Sequence, residues 1–292
     1  MGSVFKSIEG ERLVRERYRA FLDRWPVPRE EIRVATSQGE TFVVVSGEAG
    51  APPLVLLHGS AANCAMWMGE VKAFAEHFRI YAADVIGEPG LSAESRPSLT
   101  SDAHAVWLDD VFSGLGIQRA SVLGVSLGGW LALDYAIRRQ QRVEQVAVLC
   151  PGGVGRQKIR IVFEAMLLRS CGPWGKRKLM ERVLARPPAD PPPALKAFAD
   201  FVAVIHKNFR PRMVKLPIFS DDALRGLSIP VLAIVGGRDV MLESLGTKRR
   251  LERLVPTAEV LYLEDVGHFI PNQTGRVVEF LRRNVRAAAQ SR

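Results

Sequence analysis

Ala120-Ser121-Val122-Leu123-Gly124-Val125-Ser126-Leu127-Gly128-Gly129-Trp130 is the stretch whose reading decides the fold. Its first half suits a short buried strand, and the run from Leu127 to Ile137 suits a helix. Between them stands one serine, Ser126, framed by Gly124 and Gly128. A strand that turns at once into a helix strains the backbone at the central residue. It also brings chain close on both sides, so side chains at 124 and 128 would clash. The hydroxyl is then held clear of the sheet edge, at the positive end of the following helix. A tight turn with an incidental serine has the same local pattern. What gives this one weight is the rest of the chain, which supplies a base, an acid and an oxyanion site in a fixed order.

Upstream, Val14, Tyr18, Phe21, Leu22 and Trp25 recur at helical spacing before Pro26 and Pro28, which predicts an amphipathic helix packed on another element. Ile32 to Thr36 and Thr41 to Ser46 flank Gln38-Gly39 as a hairpin. Leu54 to Leu57 reads as a buried strand ending in His58-Gly59, and Arg79 to Ala83 as another ending at Asp84. Helical patches at Val71–Phe78 and Leu108–Leu115 separate the strands. Val143 to Leu149 is the next strand, and the pattern resumes at Ile229–Val235 and Glu259–Leu263 before a last helix with Val277, Phe280 and Leu281. Apolar strands alternating with helices predict an α/β fold: a mostly parallel, doubly wound sheet of about eight strands covered on both faces. Residues 154–226 break the rhythm with helical patches and prolines, and read as a helical insertion in a core of residues 30–153 and 227–292, with residues 1–29 as an N-terminal helix.

The order of polar residues at the strand ends carries the chemistry. Asp239 follows the strand that ends in Gly236-Gly237-Arg238, and His268 follows the last strand. In open α/β sheets the ligand crevice lies beyond the carboxyl ends of the strands. Ser126, Asp239 and His268 are therefore the candidate nucleophile, acid and base, in the chain order of one known triad arrangement. His268 takes the serine proton, and Asp239 holds the imidazole tautomer. Asp265 is the rival acid, with Asp221 and Asp222 weaker. The oxyanion donors are the backbone N–H groups of Leu127 and Ser60. Gly59, Trp130 and Phe269 are expected at the substrate, whereas His58 is expected to shape its loop. The pattern calls for no cofactor and no metal.

With these motifs in view, the chain resembles α/β-hydrolase-fold proteins over roughly residues 30 to 285, on the serine-nucleophile, carboxylesterase-like branch. The matching pieces are Leu57-His58-Gly59, Asp84-Val85-Ile86-Gly87, the Ser126 turn, Gly236-Gly237-Arg238-Asp239 and Gly267-His268. One departure is the Asp84 loop, which runs one residue longer to Ser92 than the family's Asp-x-x-Gly-x-Gly-x-Ser. The resemblance implies an ester-cleaving serine hydrolase acting on a small molecule, with residues 154–226 as a lid; the prolines of 187–193 are expected to make a stiff joint in that lid. Pro151-Gly152-Gly153-Val154-Gly155 is similar to a segment of the meta-cleavage-product hydrolases, which makes carbon–carbon bond hydrolysis the alternative. A non-catalytic ligand receptor on the same fold is a third reading, against which the complete triad argues.

Composition bounds the rest. The net charge of +9 lies within residues 154–226, where fifteen Lys and Arg face six Asp and Glu. Such a cap either presents a solvated outer face or favours an anionic substrate through Arg156, Lys158, Arg160, Arg210, Arg212 or Lys215. No aromatic and basic stripe suggests nucleic acid. No run approaches the roughly 20 apolar residues of a membrane span. The odd, scattered Cys64, Cys150 and Cys171 suggest free thiols and a cytoplasmic setting. Oligomeric state is not encoded in any of these features.

Overall fold

The computed structural model describes residues 3–158, 172, 175, 178, 192–212 and 214–290. Eight strands form one sheet in the order β1-β2-β4-β3-β5-β6-β7-β8: β1 (Arg29–Thr36), β2 (Gly39–Ser46), β3 (Pro53–Leu57), β4 (Arg79–Ala83), β5 (Ala120–Val125), β6 (Val143–Leu149), β7 (Val231–Gly236) and β8 (Ala258–Leu263). The hairpin β1–β2 and the β2–β4 pair are antiparallel, and every other pair is parallel. The α/β architecture expected from the alternating pattern is the one observed.

Helices cover both faces because the strands are apolar on both. In β3, Leu54 and Leu56 face one core, with Val71 and Phe74 of α2 (Val71–Ala75) and Leu281 of α8 (Thr274–Gln290). Val55 and Leu57 face the other, with Trp107 and Leu108 of α3 (Ala103–Gly114), Leu131 of α4 (Leu127–Arg138) and Leu251 of α7 (Ser244–Leu254). Period-two alternation thus feeds two cores from one strand.

The N-terminal helix, α1 (Ile8–Leu22), is shorter than expected, with Trp25 buried beyond its end and donating through Nε1 to Ser46 Oγ at 3.0 Å. Its partner is α5 (Pro193–Asn208), which lies within the segment read as the cap: Phe21 and Tyr18 pack on Phe201 with ring centroids 5.0 and 6.4 Å apart. A short helix, α6 (Asp221–Arg225), closes that segment. The helical patch from Ile159 to Leu167 and the proline stretch through residue 191 lie outside the described residues.

The lengthened loop after β4 is organised by Asp84, which is fully buried. Its Oδ1 accepts from the Tyr18 hydroxyl and the Cys64 N–H, both at 2.9 Å, and its Oδ2 accepts from the Leu91 N–H at 2.7 Å. A buried carboxylate is tolerated only with such partners. The Tyr18→Phe variant is expected to lose about 1–2 kcal/mol of stability, because Asp84 keeps two of its three donors. Urea unfolding monitored by tryptophan fluorescence checks this, as a lower midpoint at unchanged slope.

Candidate active site

Parallel register brings the ends of four strands to one edge. Leu57 of β3 pairs with Gly124 of β5, Val125 with Leu149 of β6, and Leu149 with Ile234 of β7. The residues just beyond these ends therefore meet. Ser126 is the first of them, at φ 53° and ψ −107°, a strained backbone for a residue with a Cβ. The turn is held by the Ser126 N–H donating to Leu149 O at 2.9 Å, while Ser126 O accepts from Trp130 N at 3.0 Å and Gly152 N at 3.3 Å. A Cβ placed on Gly128 would stand 2.0 Å from Leu57 O, and one on Gly124 2.2 Å from Gly128 O. Close approach, as read from the sequence, accounts for both glycines.

Asp239 and His268 meet across the β7 and β8 ends, with His268 Nδ1 donating to Asp239 Oδ2 at 2.7 Å. The other oxygen, Oδ1, accepts the N–H groups of Met241 at 2.7 Å and Leu242 at 3.0 Å, so the carboxylate cannot rotate freely. Burial alone would raise its pKa. The His268 hydrogen bond and charge, together with the two backbone donors, outweigh burial and hold it below the usual carboxylate range. Asp239 is thus an anion at neutral pH, and its bond to Nδ1 leaves Nε2 as the free face of the imidazole.

The rival acids are committed elsewhere. Asp265 is exposed and paired with Arg238, and Asp221 is paired with Arg250 and Arg253.

On the opposite wall, a Cβ placed on Gly59 would lie 3.6 Å from Ser126 Cβ, so the Gly59-Ser60 turn borders the serine. Leu127 opens α4 directly after it. His58 shapes this turn, as expected: its Nδ1 donates to Gly59 O at 2.8 Å and its Nε2 accepts from Val85 N at 2.9 Å. Burial lowers its pKa and keeps it neutral, although Asp84 and Gly59 oppose the shift. Phe269 is half exposed beside His268.

Trp130 corrects the sequence reading. It is fully buried, stacks on Phe219 at 5.6 Å and donates through Nε1 to Pro217 O at 2.9 Å. Four residues beyond Ser126, it sits one helical turn deeper, on the side of α4 that the 217–219 segment covers. It therefore clamps that segment to the core.

The cap cations are also partly committed to backbone. Lys158 Nζ donates to Asp239 O at 2.6 Å, Arg210 to Ser3 O and Phe5 O, and Arg212 to Pro97 O at 2.9 Å. Arg156 and Lys215 are exposed, and Arg160 lies outside the described residues.

Cys150 is a neighbour that sequence reasoning passed over. Its backbone has φ 43°, and its thiol, the carboxylate of Asp239 and the ring of His268 place their ligand-type atoms within 4.8 Å of one another. Burial and the Asp239 charge push the thiol pKa well up, so it stays protonated. Its place directly after β6, level with Asp239, was the available signal.

Residues 52–271 match the protein family described as alpha/beta hydrolase fold. The chain belongs to that family. It is 28% identical over 272 residues to carboxylesterase YbfK of Bacillus subtilis (strain 168), covering 91% of this chain and 90% of that one. To the uncharacterized carboxylesterase nap of the same strain it is 29% identical over 256 residues, covering 87% and 85%. The crystal structure of carboxylesterase CesB (YbfK) superposes with a TM-score of 0.80 at 28% identity, over 94% of this chain and 99% of that one. A 2-hydroxy-6-oxo-6-phenylhexa-2,4-dienoate hydrolase from Rhodococcus sp. strain RHA1 (22% identity, TM-score 0.72, over 89% and 99% of the two chains) shares the fold. The chain is a carboxylesterase-like hydrolase of this fold. Among the described residues, no helix is long and apolar enough to cross a membrane.

The Asp239–His268 geometry makes a quantitative expectation. Asp239→Asn is expected to lower kcat by about 10³- to 10⁴-fold, because an amide favours the wrong imidazole tautomer. Asp265→Asn, altering only an exposed ion pair, is expected to leave kcat within about twofold. Steady-state kinetics of the two variants on one ester distinguish them.

Proposed function

We propose that this hydrolase cleaves a small carboxylic ester by acyl transfer to Ser126. The observation that carries the reading is an ordered Asp239–His268 pair at the same sheet edge as a serine in a strained strand-to-helix turn. In this mechanism Ser126 Oγ attacks the ester carbonyl while His268 Nε2 takes its proton. Asp239 keeps the Nδ1–H tautomer and stabilises the imidazolium. The N–H groups of Leu127 and Ser60 receive the negative charge that develops on the carbonyl oxygen. The imidazolium then protonates the departing alcohol, leaving an acyl-enzyme on Ser126. Water, deprotonated by His268, attacks that acyl group, and the acid leaves as the serine is restored. In this reading residues 154–226 act as a lid that admits substrate.

The carbon–carbon bond alternative rested on Pro151–Gly155. In the structure Gly153 has φ 80°, and a Cβ there would stand 2.4 Å from Trp130 Cδ1 and 2.7 Å from Phe219. Packing against the clamp just described explains that glycine without a dienoate. The carboxylesterase relatives favour the ester reading and weigh against a receptor with no turnover.

Labelling by a fluorophosphonate probe, located by mass spectrometry, tests the nucleophile. The wild type is expected to label at Ser126. Ser126→Ala is expected to lose labelling and about 10⁴-fold or more of its activity on p-nitrophenyl esters while keeping its fold. Labelling that persists in the alanine variant would refute the assignment. Faster turnover of a dienoate than of any ester would move the substrate class.

A further inference from the structure

Ser60 and Ala61 follow β3 at the edge of the site, and Ala61 has φ 55°, a left-handed conformation that a residue with a Cβ keeps only when neighbours hold it. The neighbour is Glu88, on the lengthened loop after β4. Its side chain is 2% exposed. Oε2 accepts the Ala61 N–H at 2.6 Å and lies 3.5 Å from the Ser60 hydroxyl. Oε1 is buried without a hydrogen-bond partner.

Two guanidinium groups bear on this carboxylate through their charge: Arg96, from the same loop, and Arg212, from the segment after α5. Both are held by backbone, Arg96 Nε on Gly87 O at 2.9 Å and Arg212 Nη1 on Pro97 O at 2.9 Å. Glu94 acts in turn on Arg96. His104 of α3, beside Arg212, is kept neutral by burial and by that cation, its pKa pushed down to about 4.

We infer that Glu88 is a positioning residue, whose ionised carboxylate clamps the Ser60–Ala61 turn and so aims the Ser60 N–H at the oxyanion. The inference rests on the serine-hydrolase reading given above. A charge-assisted hydrogen bond is roughly twice as strong as a neutral one, so protonation of Glu88 loosens the turn. Oxyanion donors work at about 2.7–3.1 Å, so a small drift costs transition-state stabilisation and leaves substrate binding largely intact.

Burial dominates the titration of Glu88. Opposed by the Ala61 N–H and the two arginines, it raises the pKa to about 7. The clamp is therefore set as pH rises through neutrality and released as pH falls below it. Ionisation of Glu88 thus sets the clamp on the acid side of the pH profile.

Glu88→Gln keeps an acceptor for the Ala61 N–H but cannot ionise. Counted per Ser126 that takes up fluorophosphonate, its kcat on a p-nitrophenyl ester is expected to fall about tenfold, with KM changed less than about twofold. A boronic acid, whose tetrahedral adduct on Ser126 places an oxygen in the oxyanion site, is expected to bind about tenfold more weakly. The Glu88 ionisation should vanish from the acid side of the kcat profile. Arg212→Met, which removes a cation from beside Glu88, should move that ionisation up by about half a pH unit. Wild-type kcat, boronate affinity and pH profile in the Gln variant overturn the role of Glu88 while leaving Ser126 standing. Wild-type enzyme that takes up no fluorophosphonate overturns the serine reading itself. Should the Gln variant not fold, an unshifted profile in Arg212→Met overturns the inference alone.

Discussion

The near contact between Gly128 and the end of β3 is the constraint on which the site depends. With only 2.0 Å between a Cβ at 128 and Leu57 O, helix α4 can start directly over the sheet only if that residue is glycine. This closeness puts Ser126 at φ 53°. Such strain, of order 1–3 kcal/mol, persists only where the surroundings over-determine the conformation. Here Leu149 O, Trp130 N and Gly152 N all bond the backbone of Ser126. The strained serine is thus held by its neighbours in the sheet and by its own helix.

Three buried carboxylates lie in the loops after β4 and β7, and each meets the cost of burial differently. Asp84 has a hydroxyl and two N–H donors, and serves to tie α1, the loop after β3 and the loop after β4 into one unit. Asp239 has two N–H donors and an imidazole, which fix its orientation and favour its anion. Glu88 has one good donor on Oε2 and none on Oε1, with positive charge nearby but no full set of bonds. A carboxyl left part-way between burial and compensation titrates near neutrality, where the fully bonded Asp239 does not.

The N-terminal part of the chain supports the segment that precedes β7. Phe5 pairs with Phe209 as an isolated antiparallel bridge, with their rings 6.0 Å apart, and α1 lies along α5. Further on, the Trp130–Phe219 stack fastens the same segment to α4. The described part of the segment read as the cap is therefore fastened to the N-terminal helix and to α4, besides its hydrogen bonds through Lys158, Arg212 and Arg250.

Local rules were enough to read the sheet and the serine turn, because strand alternation, glycine at points of close approach and an apolar helix face each act over a few residues. The chain order of Ser126, Asp239 and His268 was legible for the same reason, each lying just past a recognisable strand. Local pattern could not say which surface a given side chain would meet. Trp130 is covered by residues 217–219, almost ninety positions later in the chain. The partner of α1, the placement of Cys150 beside Asp239 and the seating of Glu88 under Ala61 likewise join residues far apart in sequence. Periodicity specifies which face of an element is buried, but only the packed tertiary structure chooses what it is buried against, and with that the charge and hydrogen bonding each site residue experiences.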